Sequence, residues 1–369
     1  MNKNEILKIY GTDYKDNTIA LLTEADLASH IPSKESLIAI KPNLVSSTPA
    51  SYGATTHPEV VEGIIEYLTA RGYHNLVIME GSWVGDSTET AFEVCGYKDL
   101  SEKYGIELID LQQADRLSVN CSGMKLNICR PAMDIDFLIN VPVLKGHCQT
   151  RITCALKNLK GMIPNSEKRR FHSMGLHKPI AHLSAGIRQD FIVVDHICGD
   201  LDFEDGGNPV VRNCIMAACD PVLVDSMVCQ MLHYDLEDVP YISMARDLGV
   251  GNSNLSGAEI RTISHGTDGR QDKDDLPLPH KAVLVEDAVE EVESCSACYG
   301  YLIPALVRLN EEGLFERLKD KICIGQGFRG RTGKLGVGDC TGSFDVCISG
   351  CPPTENQIYE ELKKYLQNR

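Results

Sequence analysis

Cysteines in the C-terminal part of the chain form a pattern that suits a metal centre. Cys295 and Cys298 form a C-x-x-C pair, the spacing that lets two thiols point at one metal centre. Cys340 follows a glycine-rich loop, and Cys351 stands between a glycine and two prolines. Glycine allows the backbone to approach a cluster closely, and proline after a ligand turns the chain away from it. These four cysteines are therefore predicted to hold a 4Fe–4S cluster.

Other uses of these thiols stay open at this stage. Structural zinc sites often use two close pairs, whereas this chain joins one pair to two widely spaced cysteines, so zinc and a thiol-redox pair are alternatives. Cys347 could replace either single ligand, and Cys323 lies in the same region. The other nine of the 15 cysteines are scattered and are predicted to be small buried hydrophobic residues in a reducing compartment.

Polar side chains follow four apolar runs that are predicted strands. They occur at Lys41–Asn43, Glu80–Ser82, Lys145–His147 and Asp195–His196. Ligands of open α/β sheets bind beyond the carboxyl ends of the strands. Lysines and carboxylates at such positions suit an anionic substrate or a proton-transfer site, although charges at strand ends can also be simply solvated.

The stretch from Arg151 to His182 is rich in basic side chains, in a chain whose formal charge is −16. It contains Lys157, Lys160, Lys168, Arg169, Arg170, His172, His177, Lys178 and His182. A local positive block in an acidic chain predicts contact with a phosphate or carboxylate of a ligand, with a solvated loop as the alternative. His172 and His177 are also weighed as metal ligands, but their spacing would not place them well on one helical face.

Together these positions predict a polar pocket near the cluster. Three residues are predicted to act in catalysis, namely Lys145, His172 and Asp195. Five are predicted to bind substrate, namely Lys41, Asn43, His147, Lys157 and Lys160. In this hypothesis the lysines bind an anionic small molecule, and His172 or Asp195 transfers protons.

The elements that must position these residues alternate between strands and helices. Near-continuous apolar runs predict buried parallel strands, as in Leu37–Lys41 and Phe191–Asp195. Thr56 as N-cap and Pro58 in the first turn predict the start of a helix. This alternation predicts an α/β domain over residues 1–255, built on a mostly parallel layered sheet with helices on both faces.

Two further segments complete the predicted organisation. Residues 256–281 are polar and rich in Asp, Gly and Pro, which predicts a linker or long surface loop. Residues 282–369 contain the cysteine-rich region with strand-like and helical segments around it. They are predicted to form a small C-terminal α/β iron–sulfur domain.

Composition and charge exclude several classes of protein. The 369 residues are 43% hydrophobic and 24% charged, which is typical of a globular chain. With 52 acidic against 36 basic residues, a nucleic-acid partner is not expected. No run reaches the ~20 apolar residues that cross a membrane, and the first residues lack the apolar segment of a signal peptide. We therefore expect a cytoplasmic protein without a membrane partner.

Several short motifs are similar to those of one known family. They are Ile40–Leu44, Thr56–Pro58, Val143–His147, Ala155–Gly161, Asp220–Pro221 and Asp225. In these motifs the chain resembles the domain of unknown function 362 (DUF362) family. Its cysteines resemble those of members described as iron–sulfur centre proteins, whose C-x-x-C, G-x-C and G-C-P-P pattern falls here on Cys295, Cys298, Cys340 and Cys351. Cys347 lies outside that pattern. The resemblance implies the fold and a 4Fe–4S cofactor but no reaction.

The favoured hypothesis is a cytoplasmic iron–sulfur redox enzyme acting on an anionic small molecule, with a possible redox partner protein. One alternative is an electron-transfer or assembly protein in which the α/β domain only docks. Another is a non-redox isomerase or racemase with a structural metal site. The first hypothesis predicts a pocket at the strand ends close to the cluster, and a surface cluster with no such pocket would favour the second.

Overall fold

The computed structural model describes residues 1–204, 207–264 and 281–367. The strands in these ranges are β1 (Glu5–Tyr10), β2 (Ile38–Pro42), β3 (Leu76–Glu80), β4 (Glu107–Asp110), β5 (Arg116–Cys121), β6 (Met124–Cys129), β7 (Phe137–Val141), β8 (Lys145–His147), β9 (Arg151–Thr153), β10 (Phe191–Asp200), β11 (Pro209–Ala218), β12 (Glu259–Ile263), β13 (Val289–Glu291), β14 (Ile322–Ile324), β15 (Leu335–Val337) and β16 (Val346–Ile348). The α-helices are α1 (Tyr14–Glu24), α2 (Pro58–Thr69), α3 (Thr88–Val94), α4 (Tyr97–Tyr104), α5 (Ala155–Asn158), α6 (Asn165–Ser173), α7 (His177–Gly186), α8 (Pro221–Met231), α9 (Pro240–Asp247), α10 (Val283–Glu286), α11 (Ser296–Glu311) and α12 (Glu355–Gln367).

Eight strands form one large sheet in the order β12-β1-β11-β10-β7-β2-β3-β4. Within it β11 runs antiparallel to β1 and β10, and the other neighbouring pairs are parallel. The strands β2, β3, β7 and β10 are buried along their whole length, because their near-continuous apolar runs are covered on both faces. The predicted mostly parallel α/β sheet is therefore confirmed.

Helices cover both faces of the large sheet. Side chains alternate along a strand, so Ile38 of β2 packs in an apolar core with α1 and α2, and Ala39 in another core with α7 and α8. The N-cap of α2 is His57 rather than the predicted Thr56, whose hydroxyl donates to the backbone of β7 instead. None of the helices in the described part of the chain has the length and apolar character that a membrane span requires.

Four short parallel strands form a second sheet in the order β13-β14-β15-β16. The helices α11 and α12 pack against each other and share an apolar core with these strands. The carboxyl ends of all four strands lie at one edge of this sheet, since all run in the same direction. The cysteine-rich region predicted to form a small α/β unit therefore has its own sheet and its own apolar core.

The segment predicted as a linker, residues 256–281, is described only in part. Its residues Glu259–Ile263 form the edge strand β12, which pairs in parallel with β1. Residues 265–280 lie outside the described residues.

Candidate functional site

A cavity lies between the carboxyl ends of β2 and β3 and the start of α11. The volume open to the centres of water molecules in it is ≈ 80 Å³. Five residues of the predicted pocket line it, namely Lys41, Asn43, Lys157, Lys160 and His172. Cys295, a predicted cluster ligand, lines the same cavity. The structure thus brings most of the predicted pocket and one of the predicted thiol ligands to a single space.

Positive charge exceeds negative charge around this cavity. The cationic side chains that line it are Lys41, Lys157, Lys160, Lys168 and Arg169, and the carboxylates are Glu80 and Glu204. The whole chain has a formal charge of −16, so this cluster is a local reversal of sign. Such a field attracts anionic ligands.

Lys41 is fully buried at the end of β2 and is held by three oxygen atoms. Its Nζ donates to Glu80 Oε2 at 2.6 Å, to the Pro42 carbonyl at 2.7 Å and to Asn158 Oδ1 at 3.1 Å. Burial lowers the pKa of Lys41, and the carboxylate of Glu80 opposes that shift. Gly161 packs directly on this pair, because a Cβ there would collide with Glu80 Oε1. The pair therefore neutralises itself within the wall of the cavity.

Lys157 and His147 share the carboxylate of Glu204. Lys157 Nζ lies 2.5 Å from Glu204 Oε1 and 3.3 Å from Thr153 Oγ1, and His147 Nε2 lies 2.8 Å from Glu204 Oε2. His147 Nδ1 accepts two backbone N–H groups, at 3.0 and 3.1 Å, so its proton is on Nε2. Burial lowers the pKa of His147 to about 4 even though Glu204 opposes the shift. His147 is therefore a neutral support for Glu204, and it lies outside the lining of the cavity.

The remaining two lysines of the cavity differ in their partners. Lys168 Nζ donates to the carbonyls of Gly81 at 2.9 Å and Ser82 at 2.7 Å, and lies 3.4 Å from Asn165 Oδ1. Lys160 Nζ, by contrast, forms no hydrogen bond or ion pair with any residue of the described ranges. Among the four cavity lysines, Lys160 has its amine available to a ligand.

The electrostatic surroundings of Lys160 favour its neutral form. Burial, reinforced by the positive charge of Lys157 and opposed by the carboxylate of Glu204, lowers the pKa of Lys160 to about 7. Burial lowers the pKa of Lys168 to about 8, against the influence of Glu80. A substantial share of Lys160 is therefore uncharged at neutral pH.

Arg169 and His172 complete the part of the lining that can face a ligand. Arg169 is exposed and forms no hydrogen bond or ion pair within the described residues. His172 Nε2 lies 3.3 Å from Ser296 Oγ, and its buried Nδ1 has no partner among the described groups. Burial and the charge of Lys160 lower the pKa of His172, so the ring is neutral. Arg169 belongs to the predicted basic block but is absent from the predicted site residues. Nothing in the sequence separates it from the other basic residues of that block.

Two residues predicted to be catalytic lie away from the cavity wall. Lys145 Nζ donates to the carbonyls of Ala54 at 2.6 Å and Glu204 at 2.8 Å. Asp195 accepts the backbone N–H of His57 at 2.7 Å and lies 2.9 Å from its Nδ1. Burial opposes protonation of His57, but Asp195 outweighs it and raises the pKa of His57. Asp195 thus forms an ion pair at the N-terminus of α2, with a histidine that the sequence reading did not select.

The motif Ala155–Gly161 is positioned by a buried carboxylate on α8. Asp225 accepts the backbone N–H of Ala155 at 2.7 Å and that of Leu156 at 3.1 Å. Carboxylates stabilise the free N–H groups at a helix start. Asp225 therefore fixes the first turn from which Lys157 and Lys160 extend to the cavity.

The four predicted ligand cysteines follow the carboxyl ends of strands in the small sheet. Cys295 comes after β13 and Cys298 is in the first turn of α11, while Cys340 and Cys351 come after β15 and β16. Their thiols are close enough to act on one another electrostatically. Burial, and then Cys295, Cys351 and Cys340, raise the pKa of Cys298 to about 12. The four thiols, called the thiol group below, are thus coupled electrostatically, which is a weaker statement than an arrangement ready to hold a metal ion.

The chemistry of this thiol group fits an iron–sulfur cluster. All four donors are sulfur, the ligand type of such clusters, and thiolates select Fe–S, zinc or copper(I) over hard cations. Gly338 has a φ of +87°, a conformation that favours glycine, and lies beside the thiol group, since a Cβ there would be in ordinary van der Waals contact with Cys298 Sγ. Mutual repulsion of the thiolates, which raises the pKa of Cys295 and Cys298 together with burial, would be offset by bound iron.

The two other candidate cysteines of this region lie within strands. Cys323 is in β14, 3.8 Å from Glu290 Oε2, and Cys347 is in β16, 3.6 Å from the Gly338 carbonyl. Within residues 1–204, 207–264 and 281–367, no group of three or more His, Cys, Asp or Glu side chains is arranged to hold a metal ion.

Comparisons with known proteins give a family and two distant structural neighbours. The family described as Domain of unknown function (DUF362) matches residues 38–230. A thylakoid-associated protein from Synechocystis sp. is 25% identical over 257 residues, which cover 68% of this chain and 74% of that protein.

Two solved structures show limited similarity. The lactate racemase apoprotein from Thermoanaerobacterium thermosaccharolyticum is 16% identical over 61% of this chain, with a TM-score of 0.41. A structural-genomics protein from Thermotoga maritima is 11% identical over 69% of this chain, with a TM-score of 0.37. This chain covers 56% and 62% of those two chains, less than two thirds of either.

Proposed function

The chain belongs to the DUF362 family, and we propose that this member is an iron–sulfur oxidoreductase whose substrate is an anionic small molecule. One observation supports the proposal more than any other: Cys295 lines the same cavity as Lys160 and His172. With a cluster ligand at the border of a positively charged cavity, an anionic substrate bound in the cavity would lie next to the cluster that exchanges electrons with it. A cluster protein that only docks a partner would have no need of such a cavity.

Four residues would hold the cluster, namely Cys295, Cys298, Cys340 and Cys351. When bound, the cluster would supply single electrons to the substrate or accept them from it. Cys351 is exposed, so a redox partner protein can approach the thiol group at that residue. The proposed compartment is the cytoplasm, whose reducing conditions keep thiols available for a cluster.

We assign anion binding to the cationic side chain whose N–H groups form no hydrogen bond with other described residues. Lys41 and Lys157 neutralise Glu80 and Glu204, which removes the two carboxylates of the lining as sources of repulsion. Arg169 then presents a free guanidinium, which binds carboxylates and phosphates through two parallel hydrogen bonds. The substrate is thereby held with its anionic group at Arg169.

Proton transfer is assigned to His172. Its Nε2 accepts the backbone N–H of Ser296 at 3.5 Å, so the proton of the neutral ring is on Nδ1, the atom without a partner in the described residues. An N–H that lacks an acceptor in a cavity wall can be donated to a substrate. Lys145 has a positioning role in this proposal, since it holds the backbone of Glu204.

The test is the metal content of cysteine variants prepared without oxygen. We expect the double variant Cys295→Ser/Cys298→Ser to lose iron, acid-labile sulfide and visible absorption. The matched control Cys323→Ser removes a thiol of the same region that lies within a strand, and it should retain all three. A brown, iron-containing double variant would overturn the ligand assignment.

The same preparations separate the proposal from its alternatives. Zinc without iron in the wild-type chain would favour a non-redox enzyme with a structural metal. Iron together with a cavity that does not bind phosphate or acetate would favour an electron-transfer protein. The proposal requires iron, and anion binding that weakens in Arg169→Gln.

A further inference from the structure

Lys160 differs from the other lysines of the cavity in the use of its amine. Lys41, Lys157 and Lys168 donate to carboxylates, carbonyls or amide oxygens of the protein. Lys160 Nζ borders the same cavity and has no such acceptor in the described residues. A half-buried ammonium group that makes no ion pair within the described residues and lies near other cations is unfavourable, so the free amine is favoured.

We propose that Lys160 is a nucleophile that forms a covalent imine with an anionic carbonyl compound, such as a 2-oxo acid. This inference rests on the proposed function for the place where substrate binds, and it deepens that function by naming the substrate class. Amines of this kind, desolvated and flanked by a second cation, are the ones that form Schiff bases with carbonyl substrates. The lowered pKa of Lys160, about 7, agrees with that use.

The lining supplies the groups that imine formation needs. Arg169 binds the carboxylate of the substrate, which brings the adjacent carbonyl carbon into the cavity beside Lys160. Nζ then donates its lone pair to that carbon, a C–N bond forms, and the electrons of the C=O π bond move to oxygen. His172, which lines the same cavity, gives its Nδ1 proton to that oxygen and then regains a proton from Nζ.

The second half of the step releases water. The oxygen takes up another proton and leaves as water while the C=N double bond forms. Both protons of the released water come from the amine, so the balance is one amine and one carbonyl giving one imine and one water. No oxidant or reductant is consumed at this stage, and the imine carbon is a better electron acceptor than the parent carbonyl.

Reductive trapping tests this inference directly. The full chain is incubated with pyruvate near neutral pH and treated with sodium borohydride, and its mass and tryptic peptides are then measured. We expect one reduced pyruvate per chain, on the peptide that contains Lys160. Lys160 should be trapped about a hundredfold faster than an exposed lysine, because a far larger share of its amine is neutral. Acetate, which has the carboxylate but no carbonyl, should slow trapping without itself adding mass.

Two variants and peptide mapping test whether Lys160 is the residue that forms the adduct. Lys160→Arg keeps the charge and removes the nucleophile, and should abolish the adduct. Lys178→Arg changes an exposed lysine of α7 and should leave it unchanged. Adduct spread over exposed lysines of the wild-type chain, or trapping that survives Lys160→Arg, would overturn the inference. Peptide mapping of the wild type decides the matter even where Lys160→Arg fails to fold.

The outcome is independent of the outcome for the oxidoreductase proposal. Trapping at Lys160 in a chain that binds no iron would support the imine and overturn the iron–sulfur assignment. Iron and anion binding without any trapping would overturn the imine and leave the oxidoreductase proposal standing.

Discussion

The eight-stranded sheet and the four-stranded sheet bring opposite kinds of chemistry to one cavity. The large sheet ends its strands in charges that cancel, as in Lys41 and Glu80, whose Nζ and Oε2 atoms are 2.6 Å apart. The small sheet ends its strands in thiols that repel one another when ionised, and both burial and this repulsion raise the pKa of Cys295 and Cys298. In both sheets the reactive groups follow carboxyl ends of strands, the position at which α/β sheets bind ligands.

This difference separates the parts that stabilise the fold from the parts that are available to a ligand. The buried charges of the large sheet are paired with other groups of the protein. Removing one of them should therefore mainly lower the free energy of unfolding. The surroundings of Cys295, Cys298 and Lys160 favour the uncharged forms of these side chains. Their removal should therefore act on ligand binding and chemistry with little effect on folding.

The largest expected effect on stability comes from breaking the pair at the end of β2. Lys41→Met leaves Glu80 as a buried charge without its cation, which should lower the free energy of unfolding by about 3–5 kcal/mol. Urea denaturation measures the loss. Lys103→Met breaks an exposed pair with Glu62 of the same 2.6 Å length and should leave the free energy of unfolding nearly unchanged. An equal loss of unfolding free energy in the two variants would show that the buried pair stabilises the fold no more than the exposed pair does.

The second prediction concerns the pH at which single lysines react. Only the neutral amine is acetylated, so Lys160 should be half-labelled near its pKa of about 7, roughly three pH units below an ordinary lysine. Lys15 is the control, because its hydrogen bond to Glu66 raises its pKa. Trace labelling with acetic anhydride over a pH series, resolved by peptide mass, gives both midpoints. Parallel profiles for Lys15 and Lys160 would contradict the free-amine assignment.

The third prediction addresses the small sheet with its cluster reconstituted. Arg329 Nε lies 3.5 Å from Cys340 Sγ, and a positive charge there favours the more negative, reduced form of a cluster. Arg329→Gln should therefore shift the reduction potential to a more negative value, by up to about 60 mV, a tenfold change in a one-electron equilibrium. Arg331→Gln removes a neighbouring charge that lies over the Phe328 ring and should shift it less. A redox titration followed by electron paramagnetic resonance gives the potentials, and a positive shift in Arg329→Gln would contradict the prediction.

The smallest expected effect is on the stability of the metal-free chain. Cys340→Ser alters a half-exposed side chain at the end of β15 and should change the free energy of unfolding by no more than about 0.5 kcal/mol. Urea denaturation in the presence of a chelator makes the measurement comparable with Lys41→Met. A loss of several kcal/mol would show that the thiols stabilise the fold themselves, against the contrast between the two sheets.

The sheet and the polar strand ends were predictable because they depend on local patterns. Near-continuous apolar runs such as Phe137–Val141 indicate strands buried on both faces, and that property belongs to the segment itself. The spacing of Cys295 and Cys298 likewise belongs to the sequence itself, and the cluster ligand set that it suggests stays a prediction. The edge strand Glu259–Ile263 falls within the segment predicted as a linker, because its pairing with β1 depends on residues far away in the sequence.

The roles of individual lysines could not be predicted, because sequence does not show which partner each one meets. Lys157 and Lys160 are three residues apart in one motif, yet only Lys157 reaches the carboxylate of Glu204. Asp195 lies in the middle of β10 rather than at the predicted strand end, and His57 Nδ1 contacts it at 2.9 Å outside the cavity. The sequence does not distinguish Arg169 from its basic neighbours, whereas the structure shows that it lines the cavity. Each distinction depends on contacts between segments far apart in the chain.

The central claim is that a cluster lies beside an anion-binding cavity, and one measurement tests it most directly. Electron paramagnetic resonance of the anaerobically purified, dithionite-reduced chain is recorded with and without added phosphate. We predict the signal of a reduced 4Fe–4S cluster, changed in shape by phosphate in the wild type and unchanged by it in Arg169→Gln. A reduced chain without an iron–sulfur signal, or a signal that phosphate leaves unaltered in the wild type, would contradict the claim.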